Sequence, residues 1–220
     1  LAEIHLRERK LDLVQKGCQD VLALQPNNFQ ARLMLGNAYL FQGKAPEAQT
    51  QFEALIAMAP DNPVGYFRLG LLQRLQKKYK PALENFEKAL SINNKLMDVF
   101  ANVVLVHMIQ KEYTTALVAC DKQLEIVSDT PELQAIVHNL KGGIFMALND
   151  KLSAETAFKD ALAANPDFLG AYYELAKIYL SERREVDAIA QYEAILEKDP
   201  QQAQPHMLLG TIYDIQKRYD

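Results

Sequence analysis

Cysteine and histidine are the residues here best suited to nucleophilic or metal chemistry, and they recur in one pattern. His5 precedes Cys18 by 13 residues, and His107 precedes Cys120 by the same interval. A thiol beside an imidazole can act as an activated nucleophile, and two such pairs could ligate a metal. Neither pair is accompanied by an orienting third residue, a set of oxyanion donors or a C-x-x-C spacing. Both therefore read as packing pairs, a small thiol beside a medium-sized ring. His138 and His206 read the same way, as rings standing where a larger aromatic would pack. No G-x-G-x-x-G, P-loop, H-E-x-x-H or G-x-S-x-G motif is present. Glu182-Arg183-Arg184-Glu185 reads as a solvated turn of mixed charge. The expectation is a protein that is not an enzyme, with no catalytic residue, no metal ligand and no cofactor.

The totals narrow the partner classes. The chain has 220 residues, 49% hydrophobic and 24% charged, as in ordinary globular proteins, and a formal net charge of −4. Charges of both signs are spread along it, so the basic stripe that phosphate backbones demand is missing and no nucleic-acid partner is expected. No apolar run reaches the roughly 18 residues of a membrane span. The opening, LAEIHLRERK, has no apolar core of the kind a secretory signal carries. The localisation is left open between cytoplasm and periplasm.

The elements that would position any site show up as a repeat. Leu35-Gly36 returns as Leu69-Gly70, Ala48 as Ala82 and Phe52 as Phe86, always 34 residues later. Units can be numbered from Phe29, Pro63, Met97, Ala135, Leu169 and Ala203. Position 8 then holds Gly36, Gly70, Val104, Gly142, Ala176 and Gly210, and position 20 holds Ala48, Ala82, Ala116, Ala154 and Ala188. Position 24 holds Phe52, Phe86, Cys120, Phe158 and Tyr192, and position 28 is always aliphatic. Positions 4, 7, 8 and 11 share one helical face, and positions 20, 24, 27 and 28 share another. Small residues at 8 and 20 allow two helices to approach closely, while large ones at 4, 11 and 24 fill the space beside them. Each unit is thus predicted to be a helix–turn–helix. Gly43 and Asn149 at position 15 suit a left-handed helix C-cap, but Lys77, Lys111 and Arg183 stand there elsewhere, so a non-uniform cap is expected.

Proline placement agrees with these boundaries. Pro26, Pro60, Pro166 and Pro200 follow second helices, and Pro63, Pro131 and Pro205 open first helices. Pro46 and Pro81 fall in the first turn of second helices, so none of the nine prolines lands in a helix interior, where it would cost about 3 kcal/mol. Asn62-Pro63 and Thr130-Pro131 read as N-cap followed by first helical residue.

On these residues the chain resembles the tetratricopeptide repeat, a 34-residue helix–turn–helix with Leu-Gly, Tyr, Ala, aromatic and Pro at fixed places. Leu35-Gly36-Tyr39, Tyr66-Leu69-Gly70, Tyr172, Leu175, Tyr179 and Ala188-Tyr192-Pro200 carry the likeness. The resemblance implies an all-α fold, a right-handed α-solenoid of stacked antiparallel helix pairs. The boundaries are an incomplete unit 1–28, units 29–62, 63–96 and 97–130, a four-residue insertion 131–134, units 135–168 and 169–202, and an incomplete unit 203–220. The third unit departs from the pattern at Val104, Cys120, Gln123 and Ser128, and the insertion after it should lengthen the next first helix by about one turn. Arrays of this kind need end caps, so the uncapped ends suggest a fragment of a longer protein that could self-associate. A weaker likeness, of rhythm only, is to long bacterial repeat proteins of exopolysaccharide export and envelope assemblies.

The resemblance also implies a function, a protein–protein interaction scaffold that holds a peptide or partner protein in the concave groove lined by first helices. Alternatives are a structural part of a bacterial envelope assembly or the non-catalytic repeat region of a larger enzyme. Positions 2, 5, 9 and 12 of each first helix turn away from the helix pairing. The candidate lining read from them is Asn37, Phe67, Leu71, Arg74, Leu105, Met108, Asn139, Met146, Tyr173, Lys177, Met207 and Thr211. Its apolar members form a broken track of the kind that marks interaction surfaces, and Met adapts to varied partners. Asn37, Asn139, Arg74 and Lys177 offer hydrogen bonds to a peptide backbone or carboxylate. The Lys/Asn clamp of family members that grip C-terminal carboxylates is not expected, because Leu33 stands where its lysine belongs. A repeat class of similar length that reads single-stranded RNA is disfavoured by the net charge and the Leu-Gly/Ala/Pro pattern.

Overall fold

A computed structural model describes residues 10–215, and His5, with its pairing to Cys18, lies outside the described residues. Twelve helices and no strand occur among them. They are α1 (Leu11–Leu24), α2 (Phe29–Phe41), α3 (Ala45–Met58), α4 (Pro63–Leu75), α5 (Tyr79–Ile92) and α6 (Met97–Ile109). There follow α7 (Tyr113–Ile126), α8 (Pro131–Ala147), α9 (Lys151–Ala164), α10 (Leu169–Ser181), α11 (Glu185–Lys198) and α12 (Ala203–Ile215). The fold is an all-α solenoid of helix pairs. Even-numbered helices are the first of each pair and have 13 residues, except α8 with 17. The chain forms two compact bodies that divide between Val106 and His107.

Helix starts are set by side-chain caps at several units. Asn28 Oδ1 accepts from the Ala31 N–H at 2.9 Å, Asn62 Oδ1 from Val64 at 3.0 Å and Asp150 Oδ1 from Ser153 at 3.1 Å. Thr130 occupies the same place before Pro131, but its hydroxyl donates to Asp129 Oδ1 at 3.0 Å and makes no cap bond.

The ends of the first helices correct one expectation. The cap is uniform in conformation although not in chemistry. Gly43, Lys77, Lys111, Asn149 and Arg183 all adopt a left-handed φ of 59–73°. In each, that residue's N–H bonds the carbonyl three before it, and the next N–H bonds the carbonyl five before it, as in Gly43→Leu40 (3.1 Å) and Lys44→Tyr39 (2.9 Å). Backbone closure of the hairpin therefore overrides the cost of a side chain at positive φ, about 1–2 kcal/mol per residue.

Close approach within three of the pairs depends on glycine. A Cβ on Gly36 would meet the Phe52 ring at 2.5 Å, one on Gly70 the Phe86 ring at 2.6 Å and one on Gly142 the Phe158 ring at 2.4 Å. Those rings are buried, and the alanines at position 20, Ala48, Ala82 and Ala154, are 0% exposed. The sequence shows the complementary trade, because Val104 stands at position 8 of the unit whose position 24 is Cys120. In the N-terminal body the core gathers Val14, Cys18, Leu35, Ala48, Phe52 and Leu55, then Ala82, Phe86, Ala89, Val99 and Val103. In the C-terminal body it gathers Phe158, Leu175, Ala176, Ile178, Tyr179, Tyr192 and Ile195, and reaches Leu209 and Ile212 of α12.

The lengthened helix α8 has its own anchoring. Arg32 donates to the Pro26 carbonyl at 2.7 Å, Tyr172 to Pro166 at 3.1 Å, and His206 Nε2 lies 3.0 Å from the Pro200 oxygen. Each is a position-4 side chain reaching back to the preceding turn. Ahead of α8 it is Gln134 that does so, donating to the carbonyls of Val127 (3.2 Å) and Ser128 (2.7 Å). His138, at position 4 of that unit, makes no such bond.

Candidate functional site

Nucleophilic chemistry finds no support in the geometry. Cys18 and Cys120 are free, buried thiols. Burial raises the pKa of Cys18 above its ordinary value and pushes Cys120 up to about 12, with Lys141 pulling it back and Asp121 adding to the rise. A thiol so placed stays protonated and unreactive at neutral pH. Glu112 holds the His107 ring, with Nδ1 2.7 Å from Oε2, and so is an orienting carboxylate that the sequence reading does not anticipate, but among the described residues no hydrogen bond joins Cys120 to that ring.

The histidines are less buried than core rings would be. His107 and His138 are half-buried, and His206 is exposed. His138 faces a pocket of about 350 Å³ between α8 and α9, lined also by Lys141, Phe145, Ser153, Thr156 and Asp160. Burial lowers the His138 pKa, with Asp160 opposing and Lys141 adding to the depression. Its Nδ1 is enclosed without a hydrogen-bond partner, 4.0 Å from Asp160 Oδ2, too far for a bond. Thr156 Oγ1 donates to the Leu152 carbonyl and Ser153 Oγ to Asp150, so neither hydroxyl is held by the imidazole. Lys141 Nζ pairs with Asp121 Oδ1 at 2.7 Å. The pocket thus has the residue types of an acid–base site without the hydrogen bond from nucleophile to base that such a site needs. Among the described residues no group of three His, Cys, Asp or Glu is arranged to hold a metal ion.

The first-helix face divides between the two bodies. In the N-terminal body, Asn37, Phe67, Leu71 and Arg74 are half-buried, and Leu105 is exposed. Phe67 does not turn freely away from the core. Its ring centre lies 6.1 Å from that of Phe86, and both Phe67 and Leu71 pack on the Ala82–Phe86 cluster. In the C-terminal body, Met108, Asn139, Met146 and Tyr173 are half-buried, and Lys177, Met207 and Thr211 are exposed. Tyr173 repeats the behaviour of Phe67, with its ring 6.3 Å from Tyr192 and its hydroxyl donating to Gln202 Oε1 at 3.1 Å. Position 5 is therefore partly structural, because it leans on the position-24 ring of its own unit.

Polar groups on this face are unevenly occupied. Lys177 Nζ is 2.6 Å from Glu174 Oε1, an exposed pair worth little. Thr211 Oγ1 donates to the Met207 carbonyl in its own helix. Arg74 Nε and Asn139 Oδ1 are enclosed and have no hydrogen-bond partner. Sequence reading placed Arg74 and Asn139 on this face from helical spacing, but their unpaired atoms have no sequence signature.

Comparison with known proteins fits this architecture. Two family profiles described as tetratricopeptide repeat match residues 20–95 and 146–212, together about two thirds of the chain. No curated protein sequence matches. Among solved structures the chain is similar to a tetratricopeptide repeat protein from Parabacteroides merdae, with TM-score 0.64 and 18% identity over 99% of this chain and 84% of that one. It is similar to Pseudomonas aeruginosa PilF, with TM-score 0.62 and 20% identity over 86% of this chain and 85% of that one. It is also similar to PilW, described as a type IV pilus biogenesis factor, with TM-score 0.61 and 20% identity over 86% of each chain. At these identities the likeness is one of fold.

Proposed function

Because this chain belongs to the tetratricopeptide repeat family, a generally non-catalytic family of protein-interaction scaffolds, we propose that it binds a peptide or partner protein against the face lined by its first helices. The observation that carries the reading is the coincidence, on that face, of half-exposed apolar side chains with polar atoms that lack partners. Leu71 and Arg74 lie one turn apart on α4, and Arg74 Nε is an unused donor. Asn139 and Met146 lie two turns apart on α8, and Asn139 Oδ1 is an unused acceptor. An enclosed polar atom without a partner costs roughly 1–3 kcal/mol, so turning the Arg74 guanidinium and the Asn139 amide outward costs little, and a peptide backbone then supplies the acceptor for one and the donor for the other. The apolar neighbours provide the desolvated surroundings in which such bonds count most.

The test uses purified chain and a captured partner that rebinds it. Leu71→Ala with Arg74→Ala probes the N-terminal body, and Asn139→Ala with Met146→Ala probes the C-terminal body. Phe67 and Tyr173 are avoided because their rings support the core, and Arg74→Ala and Asn139→Ala are also measured singly because Leu71 and Met146 pack on the core clusters too. The expected result is at least a tenfold loss of affinity for one pair, about 1.4 kcal/mol, with the helical spectrum intact. Unchanged affinity in both pairs would overturn the assignment of the face.

A further inference from the structure

A second surface lies at the turns that join the helices of each pair. Three-residue connections reverse the chain, so the C-terminal ends of α2 and α4 reach the same edge of the N-terminal body. The segments there read FQGKAP (41–46) and LQKKYK (75–80), with four lysines and no carboxylate. The equivalent segments of the C-terminal body read IQKEYT (109–114), ALNDKL (147–152) and SERREV (181–186), and in each the acidic and basic residues are equal in number. The repeat pattern thus does not require the lysines of the first two.

These lysines are available. Lys44, Lys77, Lys78 and Lys80 are all exposed. Lys77, Lys78 and Lys80 make no ion pair among the described residues. Lys44 Nζ touches only neutral groups, Gln15 Oε1 at 3.5 Å and the Tyr39 ring at 5.8 Å. The nearby carboxylates are Asp12, which accepts from Gln42 at 3.0 Å, and Glu47 and Glu84, further along α3 and α5. Two large apolar side chains end the helices that lead into these turns, Phe41 at 68% exposed and Leu75 at 60%. By contrast, Arg184 at the α10–α11 turn is tied to Glu155, Glu182 and Asp187.

The geometry points to this edge as a peripheral docking surface for a membrane leaflet rich in anionic phospholipid. Ammonium groups supply non-directional attraction to the headgroups, and Phe41 and Leu75 enter the headgroup–acyl boundary. An acidic peptide fits less well, because it would pair with the lysines but leave Phe41 and Leu75, 68% and 60% exposed, without an apolar phase to enter. The net charge of −4 does not oppose this, because charges beyond about a Debye length, roughly 8 Å at physiological salt, are screened. No helix of the described residues is long and apolar enough to cross a membrane, so the association is peripheral. This surface adjoins the first-helix face, since Leu75 follows Arg74 on α4, but it uses different side chains, so its failure would leave the reading of that face untouched.

Co-sedimentation of the full chain with phosphatidylcholine vesicles, with and without phosphatidylserine, tests the inference. The wild type is expected to pellet only with phosphatidylserine vesicles, and less so at high salt. Lys77→Gln, Lys78→Gln and Lys80→Gln combined should weaken binding about a hundredfold, at about fivefold per lysine. Phe41→Ser with Leu75→Ser should weaken it at least tenfold and leave the salt dependence in place. Lys88→Gln, Lys122→Gln and Lys198→Gln combined remove the same charge from exposed second-helix positions and should change nothing. Circular dichroism verifies that each variant is folded. The inference is overturned if the wild type stays in the supernatant, if the two lysine triples behave alike, or if polyglutamate is bound while phosphatidylserine vesicles are not.

Discussion

Adjacent glycines on α8 allow the packing argument to be tested within one turn of helix. Gly142 lies over the Phe158 ring, and a Cβ there would fall 2.4, 2.6 and 2.7 Å from three ring atoms. Ordinary carbon contacts are about 3.5–4.0 Å, so the ring must retreat by about 1 Å. Phe158 is 1% exposed, and Ala135, Ala154 and Ala161 of the same cluster are 0% exposed, so it has no open side. Overpacking of this kind costs about 1–3 kcal/mol, while alanine gains at most about 1 kcal/mol over glycine in a helix. Three clashing atoms place the strain near the top of that range, so Gly142→Ala should lose about 2 kcal/mol. For a chain of this size that lowers Tm by about 4–8 °C. Gly143 has nothing within 4 Å of its added Cβ, so Gly143→Ala should raise stability by up to about 1 kcal/mol. Thermal and urea unfolding followed by circular dichroism measure both. Adding Phe158→Leu to Gly142→Ala should recover part of the loss, which a double-mutant cycle would report as coupling. If Gly142→Ala melts at or above wild type, the glycine is not there to admit the ring, and the explanation of position 8 fails.

Other consequences follow from the same geometry. Lys111 and Arg183 hold φ of 60° and 59°, so Lys111→Gly and Arg183→Gly should each add about 1 kcal/mol of stability by removing left-handed strain, and an unchanged or lower Tm would contradict this. Glu155 accepts from Arg184 at 2.8 Å and from Tyr179 at 3.2 Å, and Arg184 above all holds its carboxyl at about 2, below the ordinary 4.5. A carboxylate depressed on folding stabilises fully above its unfolded pKa, and that contribution is lost as pH falls from about 4.5 through about 2. Wild type should therefore lose stability across that window more steeply than Glu155→Gln, and parallel pH profiles would refute the role of the pair. Cys18 and Cys120 should resist a thiol reagent at pH 8 in the folded chain and react together on unfolding, whereas rapid labelling of the native protein would show accessible thiols.

Much of the fold was legible because the packing rules repeat. Position 8 small, position 20 alanine and position 24 aromatic identify the helix pair, and the structure shows the ring beneath the glycine that explains the spacing. The uniform left-handed cap was not legible, because Lys77, Lys111 and Arg183 have no intrinsic preference for it and are carried there by backbone hydrogen bonds. The burial of Cys120 follows from its place in the repeat, but the exposure of His206 does not, since position 4 reaches outward to the preceding proline carbonyl. The face assigned to binding was legible as a set of positions. Which of its residues are spoken for was not, because the Phe67–Phe86 and Tyr173–Tyr192 ring contacts depend on what position 24 holds.

The central functional claim is that a partner meets the first helices. Site-specific photo-crosslinkers installed singly at Leu71, Arg74, Asn139 and Lys177, and at Lys88, Val118 and Lys122 on second helices, measure it most directly in the complex with the partner. Cross-links to the partner from the first set and none from the second are the predicted result. Cross-links from the second-helix positions, with silence at the first, would contradict it.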